Sequence, residues 1–427
     1  MRKNDKKRAR RQPGKKVVVN PVQAVGQFVR EVLFETVIMS GLAYVQQALE
    51  EERAAVCGPR YQHDERRGAY RGGHVEGALV LGGRRVQVRR PRVRSVQGEE
   101  VVLPSWEAWS ATDPLEERAV QQMLVGVATR KYARSLDELP EDITSRGTSK
   151  SAVSRRFVRG TAKQLEAVLA RDLSKLDLVA LILDGVHFDE HVVVAGVGVD
   201  AQGKKHVLGL WEGATEHSTT CKALLNELVE RGLRTNRSLL VVLDGSKALY
   251  RAAREVFGKR ALIQRCQEHK KRNVLDALPQ SKRESVKGAL NKAFHSEDAE
   301  RAKRLLENLA RSLSEQHPGA TASLREGLEE LLTLKRLGLS GTALERTLAS
   351  TNVIENLFSL VRAFSGRVKR WRSGTMILRW CAAGVLEAER GFRRLRGYRD
   401  MQKLVTALQK NDAEIDAAMR DRKKRAA

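Results

Sequence analysis

Two apolar segments of the sequence each end in Asp-Gly, and their aspartates are the first candidates for chemistry. Asp184 lies in VALILDGVHF, and Asp244 ends LLVVLDG. A carboxylate at the end of a buried strand is costly unless a partner compensates its charge, although Asp-Gly is also an ordinary turn dipeptide. If these segments are neighbouring strands, both side chains leave the same edge of the sheet, where open α/β sheets bind their ligands.

A third carboxylate, Glu355, lies in the segment LASTNVIENLFSLVRAF. Apolar residues at helical spacing predict a helix there, with Glu355 in its first turn. Asn352, three residues earlier, makes a capping box possible, in which Glu355 only satisfies a backbone N–H. On spacing alone the capping interpretation is favoured. Three other acids near the strands fall in or beside turns, where we expect them to face solvent: Asp189, Glu190 and Asp200.

Two aspartates and a glutamate would suit phosphodiester chemistry. Hydrolysis and strand transfer proceed by in-line displacement, and two metal ions about 3.5–4 Å apart can stabilise both the attacking and the leaving oxygen. Mg²⁺ prefers oxygen ligands and accepts a few carboxylates together with substrate phosphate oxygens. The three acids therefore predict a site for two Mg²⁺ or Mn²⁺ ions, and none of them needs to act as a covalent nucleophile.

A Cys-x-x-His pair, Cys266 and His269, follows the segment of Asp244. One such pair is half of a zinc site, and no second pair stands at suitable spacing, so we do not expect it to bind metal. The basic residues after it could contact phosphates, and a solvated surface explains them equally well. These residues are Lys270, Lys271 and Arg272.

Hydrophobic periodicity predicts the elements that must position these residues. From Leu176 the expected order is three consecutive strands, a helix (219–232), the strand that ends at Asp244, a helix (246–257) and a short strand (261–264). This β-β-β-α-β-α-β order is mixed, with the last two strands in crossover units. Residues 270–345 carry helical periodicity and no strand signal, and further helices are expected over 350–415.

The composition indicates a polyanionic partner. Lys and Arg (78) exceed Asp and Glu (52) by 26, which attracts polyanions and costs self-repulsion when none is bound. Nucleic acid is the leading candidate, with an anionic membrane surface behind it. The longest apolar stretches, 178–183 and 192–199, are too short to span a bilayer. Neither a secretory signal nor a disulfide framework is expected, so the protein should work in a reducing cytoplasm.

Taken in order, these segments resemble one protein family. DGVHF, VVVAGVGVD, KKHVLGLWEG, LLVVLDG, QRCQEHKKRN, ASTNVIENLFSLVR and VKRWRSG, preceded by YRGGH and VQVRRPRVR, look like the Mutator-type bacterial insertion-sequence transposases. The similarity runs from about Ala24 to Leu404. It implies an α/β ribonuclease-H-like catalytic core with an all-helical insertion between the second aspartate and the glutamate, preceded by helical and β-hairpin DNA-binding regions.

The resemblance also implies roles for the candidate residues. Asp184, Asp244 and Glu355 would form a catalytic, metal-binding DDE triad. Cys266 and His269 match a motif of the family, which implies a role at the edge of the active site, either in positioning DNA or in a structural hydrogen bond.

Several segments could hold double-stranded DNA. TSKSAVSRRFVR (148–159) fits the second helix of a helix-turn-helix, and an ordinary amphipathic surface helix fits it equally well. We expect Ala152, Val153 and Phe157 to pack inward. The side chains expected to face outward are Ser151, Ser154, Arg155, Arg156 and Arg159.

Two further basic regions flank the expected core. The Gly/Arg-rich stretch before it predicts a β-hairpin that presents Arg84, Arg85, Arg89, Arg90 and Arg92 to solvent, where they could contact phosphates. Lys369, Arg370 and Arg372 surround Trp371, which could stack on an unpaired or flipped base or could be a partly buried anchor. Trp380 has apolar neighbours and is expected in the core.

These features divide the chain into expected regions: a basic disordered arm (1–20), a helical domain with the Arg-rich hairpin (21–110), a helix-turn-helix-like domain (111–172), the first part of the core (173–269), the helical insertion (270–345), the C-terminal helices of the core (346–415) and a basic tail (416–427). The resemblance implies a bacterial, nucleoid-associated protein that functions as an oligomer, at least a dimer.

The expected activity is that of a transposase. It would bind the terminal inverted repeats of an insertion sequence, hydrolyse at their ends and use the 3′-hydroxyl for strand transfer to target DNA; the resemblance leans to copy-out with a circular intermediate. Two alternatives remain: a metal-dependent structure-selective nuclease, and a DNA-binding regulator whose catalytic core has decayed. The presence of all three acids argues against decay.

Overall fold

The computed structural model describes residues 21–426 apart from 63–66, 112–113, 141 and 214–217, and side chains from Val32 to Arg422 apart from these positions and Ala111. The expected disordered arm (1–20) lies outside the described residues. The chain divides into two compact units. Of the described residues, unit 1 comprises 21–115 and 133–149, and unit 2 comprises 116–132 and 150–426.

Unit 1 joins one long helix to a small antiparallel sheet. Its elements are α1 (Pro21–Cys57), β1 (Ala69–Leu81), β2 (Arg84–Ser95), β3 (Glu100–Val101), α2 (Pro104–Ala111) and β4 (Ser145–Arg146). Strands β1, β2 and β3 lie in this order, and β4 pairs with β2. The predicted hairpin is confirmed: Gly82 and Gly83 connect β1 to β2 with φ of 58° and 85°, the positive values that a type I′ turn requires at both positions.

Unit 2 contains a five-stranded sheet. The elements up to its last strand are α3 (Leu115–Leu124), α4 (Lys150–Leu169), β5 (Leu178–Phe188), β6 (His191–Asp200), β7 (Lys205–Glu212), α5 (Ser218–Glu230), β8 (Leu239–Leu243), α6 (Lys247–Phe257) and β9 (Ala261–Arg265). The strand order is β7-β6-β5-β8-β9. Neighbours are antiparallel from β5 to β7 and parallel from β5 to β9. The predicted β-β-β-α-β-α-β order is confirmed.

Both faces of this sheet are covered, which explains why its central strand is apolar at almost every position. On one face, Ile182 and Val242 pack with residues of the C-terminal helices. On the other face, Leu181 and Val241 pack with α5 and α6. A strand buried on both faces needs an uninterrupted apolar sequence rather than an alternating one.

Helices alone follow the sheet within the described residues. They are α7 (Gln267–Asp276), α8 (Gln280–Phe294), α9 (Ala299–Leu313), α10 (Pro318–Arg325), α11 (Thr333–Arg336), α12 (Ala343–Leu348), α13 (Asn352–Ser365), α14 (Gly374–Arg390) and α15 (Met401–Ala426). The segment from α7 to α10 has its own apolar core, with Leu290, Leu306 and Leu324 fully buried. The region expected to be helical (270–345) therefore contains no strand.

Two expected boundaries differ from the structure. The helices of the region 111–172 do not form a separate domain, because α4 belongs to the same compact unit as the five-stranded sheet. The helices expected to end near residue 415 extend through the basic tail, because α15 continues to Ala426. Its basic residues lie at the end of a helix whose earlier turns pack on the core through Leu404 and Leu408.

Helix α1 contains a long apolar segment in addition to the two apolar stretches predicted from the sequence. The segment Val32–Cys57 is long and apolar enough to cross a membrane by length and composition alone. A core helix of a soluble protein passes the same test, and α1 buries Leu49 and Cys57 against the unit 1 sheet. The segment is therefore weak evidence for membrane insertion.

Candidate active site

The two aspartates lie at the same edge of the five-stranded sheet. Strands β5 and β8 are parallel, and Leu183 is paired with Leu243. Asp184 and Asp244 each follow one member of this pair. Asp184 is 3% exposed, whereas Asp244 is half-buried. The sheet thus places two carboxylates side by side, as the Asp-Gly pattern predicted.

Asp244 also forms a turn. Its Oδ1 accepts hydrogen bonds from the backbone N–H of Gly245 at 2.6 Å and of Ser246 at 2.9 Å. Ser246 caps α6 by accepting a hydrogen bond from the Leu249 N–H. Asp244 therefore also stabilises a turn, as Asp-Gly pairs commonly do, and it uses one carboxylate oxygen for this.

Glu355 approaches the same edge from helix α13. The helix buries Ile354, Leu357 and Phe358 against the sheet, which directs its first turn to the aspartates. Thr351 is the N-cap residue, and no side chain makes a capping hydrogen bond at this described helix terminus. The capping-box interpretation favoured on spacing alone is therefore wrong. Glu355 Oε1 lies 3.7 Å from His269 Nε2.

Asp184, His269 and Glu355 form the closest group. One potential ligand atom from each lies within 4.8 Å of the other two. Asp244 is outside this group, but its negative charge acts on both Asp184 and His269. The structure therefore brings Glu355 close to Asp184, although 170 residues separate them in the sequence. It also places His269 in this group, a residue that the sequence did not predict to bind metal.

The charges in this group shift two pKa values. Burial raises the pKa of Asp184 to about 6; the charge of Asp244 acts in the same direction, while a hydrogen bond with Thr351 and the charge of His269 oppose the rise. Contact with Cys266 raises the pKa of His269 to about 9 against the effect of burial, and the negative charges of Asp184 and Asp244 contribute further. At neutral pH His269 is therefore a cation among carboxylates.

Buried hydrogen bonds around Cys266 join the segments that carry His269 and Glu355. Cys266 is fully buried and caps α7, because its Sγ accepts a hydrogen bond from the His269 N–H at 3.5 Å. The N–H of Thr351 also lies 3.5 Å from this Sγ. The Gln267 N–H donates to the Ala349 carbonyl at 2.8 Å. These bonds tie the segment that carries His269 to the segment that carries Glu355.

Thr351 is a site residue that sequence reasoning missed. Its side chain is fully buried, its hydroxyl lies 3.4 Å from His269 Nδ1, and its hydrogen bond lowers the pKa of Asp184 against the dominant effect of burial. Its only sequence signal is a hydroxyl residue just before an apolar helix, which indicates a cap and nothing more.

The donor set at this edge fits a divalent cation. Asp184 and Glu355 converge, and Asp244 lies beside them on the neighbouring strand. Burial, with the charge of Asp244, raises the pKa of Asp184. Hard oxygen donors of this kind suit Mg²⁺ or Mn²⁺. The charge of His269 lowers the pKa of Asp184 and so compensates part of its negative charge.

The residues expected to contact DNA differ widely in exposure. Eight are exposed: Arg85, Ser154, Arg155, Arg159, Arg272, Lys369, Arg370 and Arg372. Five are half-buried: Arg90, Arg92, Arg156, Lys271 and Trp371. Arg90 and Arg92 both donate to the Glu100 carboxylate at 2.8 Å, which neutralises part of the positive charge of the hairpin.

Lys270 and Arg84 are buried, so the prediction that they face solvent is wrong. Lys270 is 4% exposed, and its ammonium donates to the Glu326 carbonyl at 2.8 Å. It joins α7 to the end of α10. Arg84 starts β2 on the same face as the buried Val86, because side chains two apart in a strand share a face. Its guanidinium donates to the Asp137 carbonyl.

Asp200, expected in solvent, is also buried. It is 7% exposed and accepts hydrogen bonds from the backbone N–H groups of Gln202 and Lys204 and lies 2.9 Å from His206 Nε2. It organises the β6–β7 turn. Asp189 and Glu190 are exposed in the β5–β6 turn, as expected.

Helix α4, the predicted recognition helix, packs within unit 2. Val153 and Phe157 are buried as predicted, and the Phe157 ring lies 4.5 Å from that of Trp380, which confirms Trp380 as a core residue. Arg159 forms an ion pair with Glu116. The outer face of the helix still carries exposed Ser154 and Arg155.

Trp371 is anchored by packing. Its ring meets that of Phe188 edge-on, with centroids 5.6 Å apart, so the partly buried alternative describes its position. The three basic residues around it are exposed.

Comparison with known proteins places the chain in a family. Residues 24–389 match the family model of Mutator-family transposases, and the chain therefore belongs to this family. The transposase for insertion sequence element ISRM5 of Rhizobium meliloti (strain 1021) is 28% identical over 84% of this chain and 89% of its own length. The transposase for element IS6120 of Mycolicibacterium smegmatis is 29% identical over 56% of this chain and 73% of its own length.

Proposed function

We propose that this chain is a DDE transposase that binds the terminal inverted repeats of an insertion sequence, cleaves DNA strands at their ends and joins them to a target. The observation that carries the proposal is the convergence of Asp184 and Glu355, from a central strand and a distant helix, beside Asp244. Membership of a transposase family supports it independently.

The fold supports a ribonuclease-H-like core. In the five-stranded sheet three antiparallel strands come first in the chain, two parallel strands follow on the other side of β5, and helices cover both faces. Asp244 directly follows β8, and Asp184 lies at the same level within β5, which continues to Phe188. The glutamate lies on a helix that follows the helical segment α7–α12. This is the arrangement that the family resemblance implies.

Each residue of the site has a defined task in the proposed reaction. Asp184, Asp244 and Glu355 would hold two Mg²⁺ or Mn²⁺ ions, which supply activation of the attacking oxygen and stabilisation of the leaving oxygen in an in-line displacement. Asp184 must be ionised for this, which its pKa of about 6 permits at neutral pH. Thr351 fixes the orientation of Asp184, and Cys266 fixes the backbone that carries His269.

His269 would act at the boundary between protein and phosphate. As a cation in contact with Glu355, it can position an anionic phosphate oxygen near the carboxylates or keep the carboxylates together before metal binds. Both tasks follow from charge and position, and neither requires the histidine to bind metal.

DNA would be held by exposed basic residues on several elements. Arg155 on α4, Arg272 on α7 and the exposed Lys369, Arg370 and Arg372 after α13 are available for phosphate or base contacts. The net charge of +26 supports a polyanionic partner.

Assembly of at least two subunits is part of the proposal. Helix α1 exposes large apolar side chains that have no cover within the described unit 1: Val32, Leu33, Val37, Met39, Tyr44 and Val56. Exposed apolar surface of this kind is typical of protein–protein contacts.

The proposal is tested with purified protein, DNA ending in the element's own terminal repeats, and Mg²⁺ or Mn²⁺. Nicks that map to the repeat ends, followed by joined products, support it. Nicks that depend on DNA structure rather than on the repeat sequence, without joined products, would identify a structure-selective nuclease. Specific binding without any nick would identify a regulator.

A further inference from the structure

A cavity adjoins the carboxylate edge on the side of the helical segment. It has a volume of about 220 Å³ and lies between α7, α8, α12 and the start of α13. Its walls include Gln267, Lys271, Asn291, Phe294, Arg346 and Asn352. We refer to it as the α7–α8 cavity.

The cavity shares its supports with the candidate active site. Gln267 precedes His269 by two residues, and its N–H is bonded to the Ala349 carbonyl. Asn352 lies one helical turn before Glu355, on a neighbouring position of the same helix face. A group in the cavity would therefore lie beside DNA whose backbone reaches the carboxylates.

The charges that line the cavity cancel. Lys271 is held by Glu268 at 2.7 Å and donates to Asn291 Oδ1 at 3.2 Å. Glu345, the other acid in the wall, forms a buried ion pair with Lys335 at 2.6 Å. Arg346, the other cation of the wall, donates to the Gly341 carbonyl at 3.1 Å. The two cations and two acids of the wall sum to no net charge, so the cavity does not favour a phosphate. It is suited to a neutral group that hydrogen-bonds.

The remaining lining fits the edge of a nucleic-acid base. Gln267 Nε2 donates to the Leu331 carbonyl at 3.0 Å, and Asn291 Oδ1 accepts from Lys271. Gln267 Oε1, Asn291 Nδ2 and the amide of the exposed Asn352 are therefore the groups that could pair with the donor and acceptor pattern of a base edge. Phe294 contributes an aromatic surface. The volume is several times the roughly 30 Å³ share of one water molecule and below the roughly 300–1,000 Å³ of pockets for larger ligands. One planar base falls in this range.

We propose that the α7–α8 cavity receives a single unstacked base of the bound DNA next to the cleaved phosphodiester. The proposal rests on the proposed function, because it needs DNA at the carboxylate edge. Removing a base from the stack costs a few kcal/mol, and hydrogen bonds to its edge would offset this cost only at the correct nucleotide. The helical segment would then contribute to recognition of the cleavage position.

The test uses two modifications of the DNA: a fluorescent base, 2-aminopurine, and an abasic nucleotide. Terminal-repeat duplexes carry one 2-aminopurine, moved in turn through the positions that flank the cleaved bond, and are bound by the full-length protein in Ca²⁺. We expect fluorescence to rise at one position because that base leaves the stack. Asn291→Ala and Arg346→Gln should abolish this rise. Each should also weaken binding of the intact end by about tenfold, the scale of one lost base contact.

An abasic nucleotide at the same position supplies the decisive comparison. If the base occupies the cavity, Asn291→Ala weakens binding of the intact end but leaves binding of the abasic end unchanged. Equal weakening of both ends would overturn the proposal, as would a fluorescence rise that survives both variants. Lys292→Gln, the neighbour of Asn291 outside this wall, should keep the fluorescence rise and the wild-type ratio between binding of the intact end and binding of the abasic end.

Folding and the proposed function are controlled separately. Arg346 is exposed, so Arg346→Gln keeps the test available if Asn291→Ala fails to fold. If the wild-type protein neither binds nor nicks terminal-repeat DNA, the proposed function fails. If it nicks the ends but no 2-aminopurine position responds, the cavity proposal alone fails.

Discussion

Asp184 and Asp244 stand at the same level of two parallel neighbouring strands, because each directly follows one residue of the pair Leu183–Leu243. Their side chains therefore share one edge of the sheet, and the charge of Asp244 helps to raise the pKa of Asp184. Two carboxylates held this close disfavour each other's ionisation, and a bound cation would relieve that cost.

Asp184→Asn should abolish metal-dependent cleavage and leave end-binding nearly intact. The amide keeps the shape of the side chain but removes a charge that divalent ions require. Cleavage is measured on labelled terminal-repeat DNA, and binding by mobility shift. The matched control is Asp189→Asn in the exposed β5–β6 turn, where φ is 50° and asparagine is well tolerated. Cleavage by Asp184→Asn at the wild-type rate would exclude that carboxylate from the reaction.

The same variant should be more stable than the wild type at neutral pH without metal. The folded-state pKa of Asp184, about 6, lies above its ordinary 3.8, so ionisation of this residue disfavours the folded state. The free-energy cost of ionising Asp184 in the folded state is absent below pH 3.8, grows as the pH rises to 6 and is constant above pH 6. Chemical denaturation at pH 8 should show a gain of roughly 1–3 kcal/mol for Asp184→Asn. At pH 4 the two proteins should nearly coincide, and a gain of the same size there would contradict this account.

His269→Asn should show the opposite dependence. The folded-state pKa of His269, about 9, lies above its ordinary 6.5, so its protonation favours folding; this contribution is complete below pH 6.5 and is lost as the pH rises through 9. The variant should therefore be less stable than the wild type at pH 6.5, by roughly 1–3 kcal/mol, and the difference should shrink towards pH 9.5. A difference that does not change with pH would indicate lost packing rather than lost charge.

The sequence predicted the order of strands and helices along the chain and the edge at which Asp184 and Asp244 lie, because both follow from uninterrupted apolar runs that lead into Asp-Gly. It could not place Glu355: its distance from Asp184 depends on how α13 packs across the sheet, and only the family resemblance indicated it. Thr351 was missed because its contacts with Cys266 and His269 join segments more than 80 residues apart.

Burial of basic residues was the other failure of sequence reasoning. Lys270 belongs to a run of three cations in QRCQEHKKRN, and such a run indicates a solvated face. On a helix, however, successive residues point in directions about 100° apart. One member of the run therefore faces the neighbouring helices, and Lys270 ends on backbone carbonyls of α10 and the segment after it.

The double variant Arg155→Gln, Arg156→Gln should weaken specific DNA binding more than non-specific binding if α4 enters the major groove. Arg155 lies on the side of α4 opposite the buried Val153 and Phe157, and the half-buried Arg156 lies on the flank of the helix. Base contacts discriminate sequences whereas phosphate contacts do not. Affinities for terminal-repeat DNA and for unrelated DNA are compared at one salt concentration. Equal losses on the two DNAs would assign these arginines to phosphates.

A charge-matched control separates local from global effects of that double variant. Lys282→Gln with Lys292→Gln removes two exposed cations from α8, away from α4. This pair should reduce affinity for both DNAs by the same small factor. If it reproduces a selective loss, net charge rather than the position of Arg155 and Arg156 governs specificity.

Phe157→Ala should destabilise unit 2 and weaken the packing between α4 and α14. The Phe157 ring is 4% exposed and packs 4.5 Å from the Trp380 ring, so truncation leaves a cavity and costs about 3–5 kcal/mol of unfolding free energy. Because α4 carries Arg155 and Arg156, end-binding should weaken together with stability. Val158→Ala, one residue along the helix and 44% exposed, should change the unfolding free energy by less than about 0.5 kcal/mol. A loss of end-binding by Phe157→Ala without a loss of stability would show that the ring contacts DNA rather than the protein core.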